Sequence, residues 1–376
     1  MLRYLTAGES HGEALVAILE GLPAGLLISE DYINFHLERR QKGYGRGARM
    51  QIEKDTVRIL SGVRKGLTTG SPLSFLIENK DWENWKDKET PVLSVPRPGH
   101  ADFSGIIKYG LKDIRDVLER ASARETAART AIGAVCQKLL SDFNIKFYSH
   151  VRRIGPVEIS TPIDEIINNY EKIEQSEVRT LEKEDECKKA IDSALKDKDS
   201  LGGIIEVIIT GCPPGLGSYV HWDRKLDANI AKSIISVQSV KAIEFGDGFS
   251  LSSKRGSETH DEIFYNKEKG FFRKTNRAGG IEGGMTNGEP VIFRACIKPI
   301  PTLLKPLKSV DIFSKEAKES FKERSDICAV PSAAVICENV AAFEICREFL
   351  ISFGSDSLEK IKFRFNNQKK LYTDEK

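Results

Sequence analysis

A long helix near the end of the chain constrains the fold more than any other feature. It starts at Pro331 and continues through SAAVICENVAAFEICREFLISF, in which apolar residues occur along most of the length. Proline is favoured in the first turn of a helix, where its missing N–H breaks no helical hydrogen bond. Because this helix is apolar around much of its surface, we expect other elements to cover it. A chain of 376 residues can do this as one large domain with insertions or as two domains.

The predicted elements mix strands and helices without regular alternation. Ser29 is a good N-cap for the helix EDYINFHLERRQ. Strands are predicted in TVRILSGV, PLSFLIEN, GGIIEVIIT and VKAIEF. The chain has no G-x-G-x-x-G after a strand, and no glycine is followed by lysine, so neither a Rossmann nor a Walker A nucleotide site is predicted. The pattern indicates an α/β (α+β) fold of another type.

The segment around Ser122 carries the strongest helix start. Glu125 stands three residues further on, which predicts a capping box before TAARTAIGAVCQKLL. Apolar residues at 128, 132, 135 and 139 predict one buried stripe on that helix. Free N–H groups at a helix start favour bound anions, so we expect residues 120–124 to lie near an anion.

Two stretches are predicted to lie outside the core. Residues 158–199 are charged, contain no glycine and look helical, which indicates an exposed excursion. After Phe353 the chain becomes lysine-rich, and we expect residues 356–376 to form a flexible tail behind a single domain at 1–355.

Composition excludes several classes of protein. The seven cysteines include no C-x-x-C pair and the six histidines are isolated, so we expect reduced thiols and no metal site. A net charge of +2 gives no strong case for binding nucleic acid or a membrane. No apolar run approaches the roughly 20 residues of a membrane span, and the N-terminus has no signal-peptide pattern. We therefore expect a cytoplasmic protein.

The stretch GESHG at 8–12 fits the G-x-S-x-G pattern of serine hydrolases. In those enzymes several strands precede the nucleophile, whereas Ser10 has only one short strand before it. Two other interpretations stay open. Ser10 could simply cap a tight turn between two glycines, or His11 could be the working residue.

Loops that combine histidine or arginine with glycine favour the last interpretation. RPGHAD (97–102) holds a second histidine, and RRQKGYGRGARM (39–50) holds four arginines. Arginine binds carboxylate and phosphate oxygens in pairs and keeps its charge, so these loops suggest proton transfer on an anionic substrate. An RNA-binding basic loop is the alternative, although Tyr44 is the one aromatic residue in it.

Ten motifs in order resemble the chorismate synthase family along nearly the whole chain. Each is weak alone, but ten in the same order make a chance resemblance negligible. They are GESHG (8–12), RRQKGYGRGARM (39–50), SGVRKGLTTGSPL (61–73), RPGHAD (97–102), RASARETAART (120–130), GLGSYVHWDRKLDA (215–228), SVKAIEFGDGF (239–249), AGGIEGGMTNGEP (278–290), KPIPT (298–302) and RSDICAVP (324–331).

The resemblance implies a lyase of the shikimate pathway, acting at the last common step toward aromatic amino acids. Its reaction would be the 1,4-anti elimination of phosphate from 5-enolpyruvylshikimate 3-phosphate, giving chorismate. It also implies a need for reduced FMN without net redox change, with NADPH as a candidate reductant. A reduced flavin can lend electron density as phosphate leaves and recover it as the C6 hydrogen departs, while the protein orients and neutralises the substrate.

The resemblance also assigns residues. The catalytic set is His11 as proton donor near the departing phosphate, His100 near the flavin N1 side, and Asp326 with Ser122 for the proton on flavin N5. Substrate anions would meet Arg40, Arg46, Arg49, Arg97, Arg124 and Ser10. FMN would contact Arg120, Ala121, Ser122, Gln238, Ser239, Gly283, Lys298, Pro299, Ile300, Pro301, Thr302 and Arg324. Arg40 and Arg46 also match positions linked to NADPH, which competes with their substrate role.

For the fold, the resemblance implies a β-α-β sandwich, with helices between antiparallel sheets, and a homotetramer. The sequence departs from the family pattern at a few cofactor positions. Ala121 replaces a frequent serine, and Gln238-Ser239 replaces Asn-Ala in some relatives. Single hydrogen bonds to FMN at these positions are therefore not implied.

Overall fold

The structure is a computed structural model that describes residues 1–47, 54–88, 90–267, 270–321 and 325–370. Its first half contains a sheet in the order β1-β2-β6-β3, in which all neighbours are antiparallel. A small hairpin, β4 with β5, lies between β3 and β6 in the chain. The strands are β1 (Arg3–Ala7), β2 (Ala14–Glu20), β3 (Val57–Ser61), β4 (Val63–Arg64), β5 (Leu67–Thr68) and β6 (Leu73–Glu78).

A second antiparallel sheet has the order β10-β15-β9-β7-β8, and among the described residues three further small hairpins follow in this half of the chain. Its long strands correspond to the predicted GGIIEVIIT and VKAIEF segments. The strands are β7 (Lys146–Ile154), β8 (Val157–Glu158), β9 (Gly203–Thr210), β10 (Val240–Phe245), β11 (Ile263–Asn266), β12 (Gly270–Arg273), β13 (Ile281–Glu282), β14 (Met285–Thr286), β15 (Val291–Ile297), β16 (Lys308–Val310) and β17 (Ala317–Glu319).

The helices lie mainly between the sheets or against the second one. Ser29 caps the first of them by accepting from the Tyr32 N–H at 3.3 Å, as the sequence predicts. The helices are α1 (Glu30–Gln41), α2 (Asp102–Tyr109), α3 (Ile114–Ala121), α4 (Thr126–Ser141), α5 (Ile163–Asn168), α6 (Tyr170–Gln175), α7 (Glu184–Lys196), α8 (Leu226–Ile235), α9 (Gly256–Thr259), α10 (Val330–Phe353) and α11 (Leu358–Lys369).

Helices α4 and α10 form the middle layer. Helix α4 contacts strands of both sheets, and α10 contacts α4 together with β7 and β9. The two helices approach most closely at Gly133, where an added Cβ would lie 2.2 Å from the carbonyl oxygen of Asn339. Helix α10 is buried along nearly all its length, as predicted. The expected arrangement of helices packed between antiparallel sheets is confirmed.

The single buried stripe predicted for α4 is wrong. Between Thr126 and Leu140 only Lys138 is partly exposed, so the helix is buried around its whole circumference. The physical reason is its position in the middle layer, where every face meets a sheet or another helix.

The 158–199 segment is helical, as expected, but it is not an exposed excursion. Ile166 and Ile173 are fully buried and form a cluster with Ile208 and Ile292 of the second sheet. The segment covers the outer face of that sheet with a few apolar side chains. Some of its charged residues pair within the segment, as Lys188 does with Glu184, and Glu174 also pairs with Arg39 of α1. The average composition of the segment concealed this burial.

The expectation of a flexible tail from residue 356 is contradicted as far as residue 370. Helix α11 is capped by Ser357 and buries Ile361 completely. Phe365 packs against Phe143, Phe349 and Phe353, with ring centroids 5.2 to 5.6 Å apart. Apolar residues at helical spacing among the lysines account for this docking. Residues 371–376 lie outside the described residues.

A row of charged side chains crosses the second sheet. His150, Glu206, Arg294 and Glu244 are register partners on β7, β9, β15 and β10. Glu206 accepts from His150 Nε2 at 2.8 Å and from Arg294 Nε at 2.6 Å. Burial raises the pKa of Glu206, but the histidine and the arginine prevail and lower it to about 2.

The thiols and the membrane prediction have simple outcomes. All seven cysteines are free, and all but Cys296 are buried, as expected for thiols that pack in the core. Among the described residues, no helix combines the length and apolarity needed to cross a membrane.

Candidate active site

His11 lies in the loop between β1 and β2. Gly8 opens this loop with a φ of 108°, and a Cβ there would lie 2.3 Å from the Ala14 carbonyl oxygen, so glycine is required. The His11 ring packs on Trp85, with centroids 4.4 Å apart. Its Nδ1 lies 2.8 Å from Glu119 Oε1, and its backbone N–H donates to Glu119 Oε2 at 2.7 Å. The nearest charged partner of His11 is therefore a carboxylate.

Ser10 also contacts the C-terminal end of α3, the helix that contains Glu119. Its backbone N–H donates to the Glu119 carbonyl at 3.0 Å, and its hydroxyl accepts from the Ser122 hydroxyl at 3.2 Å. Ser10 is 3% exposed, so its hydroxyl is buried in this contact. These contacts support a bracing role for Ser10 in the loop that carries His11.

The helix start predicted at Ser122 is wrong in detail. Ser122 caps a short 3₁₀ turn over Ala123–Glu125, accepting from the Arg124 N–H at 3.3 Å, and α4 begins only at Thr126. The capping box fails because Glu125 instead accepts from the Thr6 hydroxyl at 2.9 Å. Arg120 and Ala121 belong to the last turn of α3, the negative end of its dipole, contrary to the expected anion-binding position.

Arg120 is exposed and bridges back to the first strand. Its guanidinium donates to the Thr6 carbonyl at 2.9 Å and to the Gly8 carbonyl at 3.2 Å. The contacts join the end of α3 to the loop of His11 from a second side.

Arg40 and Arg124 share one buried carboxylate. Arg40 Nη1 lies 3.2 Å from Asp55 Oδ2, and Arg124 Nη1 pairs with the other oxygen of Asp55. Arg124 also donates to Asn79 Oδ1 at 2.8 Å, and the Asn79 amide donates to the Gly12 carbonyl at 2.7 Å. Two positive charges on one carboxylate leave a net positive charge of one beside the His11 loop.

Burial, Arg124 and Arg46 lower the pKa of Arg40 while Asp55 raises it, and the resulting pKa is about 10. The guanidinium still carries its charge at neutral pH. The side chain is only 5% exposed and also donates to the Thr126 hydroxyl at 3.0 Å. A buried cation so placed favours a bound anion next to it.

Arg46 pairs with Asp326 rather than with Asp55, which Arg40 and Arg124 share. Arg46 Nη1 lies 3.0 Å from Asp326 Oδ2, and the Gly47 N–H donates to the second oxygen at 2.7 Å. Among the described residues, the buried Nε of Arg46 has no hydrogen-bond partner. Arg46 also lines a cleft of about 330 Å³ whose walls include Tyr44, Ile191 and Ser325.

His100 is held in a neutral form. Burial, Arg97 and Lys298 lower the pKa of His100 while Asp102 raises it, and the resulting pKa is about 4. Its Nδ1 lies 3.4 Å from the Pro98 carbonyl, which can only accept, so Nδ1 carries the proton. Its Nε2 then accepts from the Thr302 hydroxyl at 3.1 Å.

Arg97 is engaged by its own loop. Its Nε donates to Asp102 Oδ2 at 2.8 Å and its Nη2 to Oδ1 at 3.0 Å. The backbone N–H of Arg97 also donates to Asp102 at 2.9 Å. Asp102 is fully buried, so this bidentate pair braces the His100 loop.

Hydrogen bonds connect the two histidine loops. The Gln238 amide donates to the Ser122 carbonyl at 3.4 Å. The carbonyl of Ser239, the residue after Gln238, accepts from the Lys298 N–H at 2.9 Å. Lys298 Nζ donates to the Gly99 carbonyl at 2.6 Å. The chain of contacts thus runs from the end of α3 to the His100 loop through three predicted cofactor positions, Gln238, Ser239 and Lys298.

The same contacts reach the Asp326 segment. Ser325 donates to the Thr302 carbonyl at 2.7 Å, next to the pair of Asp326 with Arg46. Ser200 donates to the Ile300 carbonyl at 2.6 Å, and Pro299 and Pro301 pack beside Gly202 and Gly99. Segments far apart in sequence therefore meet around one set of arginines and histidines.

Comparisons with known proteins agree with this geometry. Residues 2–350 match the profile of a family described as chorismate synthase. The chorismate synthase of Sulfurihydrogenibium sp. (strain YO3AOP1) is 55% identical over 380 residues, covering 97% of each chain. The chain belongs to the chorismate synthase family.

A further relative and a solved structure agree. The chorismate synthase of Alkaliphilus metalliredigens (strain QYMF) is 54% identical, covering 96% of this chain and 98% of the relative. A structure described as the crystal structure of chorismate synthase matches with a TM-score of 0.82 at 42% identity, covering 99% of this chain and 98% of that chain. The predicted family is confirmed, and the chain is a lyase of the last step of the shikimate pathway.

Most positions taken from the chorismate synthase resemblance are linked by the contacts above. Gly283 is not: it lies in the β13–β14 turn, and a Cβ built on it meets nothing within 4 Å. Arg49 and Arg324 lie outside the described residues.

Sequence reasoning missed Glu119, Asp55, Asn79 and Asp102. Glu119 and Asp102 stand inside quoted motifs or next to them, but each reads as an ordinary surface acid. Glu119 lies 108 residues from His11, a separation that no local spacing indicates. Asp102 lies only five residues from Arg97 within RPGHAD, and this spacing is the signal that could have identified the pair.

Proposed function

We propose that the residues around His11, His100 and Asp326 bind 5-enolpyruvylshikimate 3-phosphate beside reduced FMN and expel its phosphate. The observation that carries this proposal is the convergence of arginines on the two histidine loops with an excess of positive charge. The substrate has one phosphate and two carboxylates, which suit arginine forks.

The arginines divide the proposed work by their accessibility. Arg40 and Arg124 are at most 9% exposed and already share Asp55, so they would act by their charge and by fixing the pocket wall. Arg46 keeps an unpartnered, buried Nε among the described residues, which is a donor that an anionic ligand can use.

The predicted cofactor positions fit a flavin in one respect. The buried Oε1 of Gln238 has no partner among the described residues, although its amide donates to the Ser122 carbonyl. A buried acceptor without a donor favours a ligand that brings an N–H. Gln238, Ser239, Lys298 and Thr302 would hold the flavin, which supplies electron density for the elimination when bound.

The histidines would have different tasks. His100 is neutral at pH 7, since its pKa is about 4, so it would donate from Nδ1 only to its own loop and serve as a hydrogen-bond partner near the cofactor. His11 would give a proton to the departing phosphate. Asp326, held by Arg46, would accept or relay the proton lost from the ring.

The decisive experiment is an anaerobic assay of purified protein with photoreduced FMN and 5-enolpyruvylshikimate 3-phosphate. We expect chorismate and phosphate in equal amounts. Elimination without added flavin, or no chorismate with fully reduced flavin, would contradict the proposal. Repeating the assay with NADPH as sole reductant tests whether the protein reduces its own flavin, with Arg46 better exposed than Arg40 for that contact.

The homotetramer and the cytoplasmic location belong to the same proposal. Exposed apolar residues on the first sheet, Leu5 at 69% and Ile18 at 42%, are register partners and support association of this face. Sedimentation of the purified protein measures the oligomer, and a monomer at assay concentration would exclude it.

A further inference from the structure

Glu119 uses both carboxylate oxygens on a single residue. Oε1 lies 2.8 Å from His11 Nδ1, and Oε2 accepts the His11 backbone N–H at 2.7 Å. The Glu119 carbonyl also accepts the Ser10 N–H at 3.0 Å. Helix α3 therefore grips the His11 loop by three hydrogen bonds at one residue, while Trp85 covers the ring.

The chemistry of these groups assigns the protons. An ionised carboxylate can only accept hydrogen bonds, so the atom facing Oε1 has to be an N–H. Burial raises the pKa of Glu119, but hydrogen bonds from the His11 ring and backbone prevail and hold that pKa below its ordinary value. Glu119 is then ionised at neutral pH and Nδ1 of His11 keeps its proton against it, so the proton that His11 gives up in the proposed step comes from Nε2.

We propose that Glu119 is the positioning residue for His11, fixing the tautomer protonated on Nδ1 and stabilising the imidazolium that donates from Nε2. This inference rests on the proposed function, in which His11 is the acid. As the C3–O bond breaks, its electron pair goes to the phosphate oxygen, which takes the Nε2 proton. The C1=C2 electron pair moves to C2=C3, and the C6–H pair forms C6=C1 as that proton passes toward Asp326. His11 becomes neutral with Nδ1 still protonated, and it regains a proton from solvent after phosphate leaves.

The variant Glu119→Gln separates this role from simple bracing, because glutamine has the same shape. The amide oxygen can accept the His11 backbone N–H, which leaves the amide nitrogen, a donor, facing Nδ1. The ring then has to present an acceptor at Nδ1 and move its proton to Nε2. In the opposite orientation the amide oxygen would accept from Nδ1–H, but the amide nitrogen would face the backbone N–H, so two donors would meet. The first orientation avoids such a conflict, provided that the ring carries its proton on Nε2.

The first measurement is ¹⁵N NMR of histidine-labelled protein without substrate, with His11→Asn used to identify the His11 signals. We expect the Nδ1–H tautomer in the wild type and the Nε2–H tautomer in Glu119→Gln. The control Asp116→Asn makes the same chemical change on an exposed residue of α3 and should leave the signals unchanged. An unchanged His11 tautomer in Glu119→Gln would overturn the proposal.

The second measurement is the rate with photoreduced FMN over a range of pH. We expect Glu119→Gln to lower kcat by about 10- to 100-fold with little change in KM, and to move the alkaline limb of the profile to lower pH. In the His11→Asn background the same substitution should cause no further loss, since Glu119 acts through His11. An equal loss in both backgrounds would show bracing alone and would refute the proposal.

Failure of this inference is distinguishable from failure of the proposed function. A wild-type protein that makes no chorismate refutes the function, whereas the tautomer is measured without substrate or flavin. If Glu119→Gln folds poorly, Glu119→Asp keeps the charge and should retain the Nδ1–H tautomer.

Discussion

Glu338 is the centre of a buried ionic cluster, and its replacement is expected to be costly. Its carboxylate accepts from Arg39 Nη1 and Nη2, each at 2.8 Å, and from the Ser149 hydroxyl at 2.6 Å. Glu174 binds Arg39 and also Arg179, with both contacts at 2.7 Å. The charges of the two guanidiniums and the two carboxylates therefore balance, and their ion pairs connect the 158–199 segment to α1 and α10.

The substitution Glu338→Gln keeps the volume but leaves two guanidiniums on one carboxylate. The site would carry a net charge of +1 where Arg39 is 5% exposed and Glu338 is 1% exposed. The new amide nitrogen would also face donors of Arg39 and Ser149. Breaking a buried pair in this way costs about 3–5 kcal/mol, so we expect a loss of that size in the free energy of unfolding.

Urea unfolding followed by circular dichroism measures the loss, with the m-value checked for each variant. The matched control is Glu38→Gln on the same helix as Arg39, because Glu38 pairs with Lys42 at 2.9 Å with both side chains more than half exposed. That exposed pair should contribute at most about 1 kcal/mol. If the two variants differ by less than about 1 kcal/mol, the cluster does not stabilise the fold as argued.

The same cluster has a signed pH dependence. Burial raises the pKa of Glu338, but Arg39 and Arg179 prevail and lower it. Its stabilising effect is then complete above the ordinary glutamate pKa of about 4.3 and is lost as the pH falls through the lower folded value. The difference between wild type and Glu338→Gln should therefore shrink below about pH 4.

Three further predictions concern other sites. Gly133→Ala should destabilise the protein by at least about 1–3 kcal/mol, because the added Cβ would lie 2.2 Å from a carbonyl oxygen. In the control Gly256→Ala the nearest atom lies 3.9 Å from the added Cβ, so the stability should change little. Equal urea midpoints for the two variants would contradict this. Glu206→Gln should lower the free energy of unfolding by about 3 kcal/mol at pH 7, since the pKa of Glu206 in the folded protein is about 2. This loss should fade as the pH drops from about 4.5 to 2, whereas a loss that does not depend on pH would indicate a packing effect. Burial raises the pKa of Cys212 to about 12, so it should resist a thiol reagent until urea is added, while Cys296 reacts first; rapid native labelling of Cys212 would refute its burial.

Local signals predicted the elements well where neighbours in sequence decide the structure. Ser29 caps α1 because the cap bond spans three residues, and the burial of α10 was predictable because apolar side chains occur along most of its length. The start of α4 was missed because Glu125 finds a partner in Thr6, 119 residues away. A capping box is only one of the hydrogen bonds open to such a residue.

Average composition misled where a few residues carry the packing. The 158–199 segment and residues 356–370 are rich in charge, yet Ile173 and Ile361 are fully buried. Burial depends on which face of a helix meets the core, and the mean over a segment does not record that face.

The motifs and their order were enough to predict the family, the layered fold and the candidate residues, since backbone freedom at glycine, arginine charge and histidine chemistry belong to the residues themselves. Tertiary packing alone decided what each of them touches. It set Glu119 against His11 across 108 residues and gave Arg40 and Arg124 a common carboxylate in Asp55. These partners lie within hydrogen-bond distance of the predicted residues, and distance in space is the quantity that linear spacing does not contain.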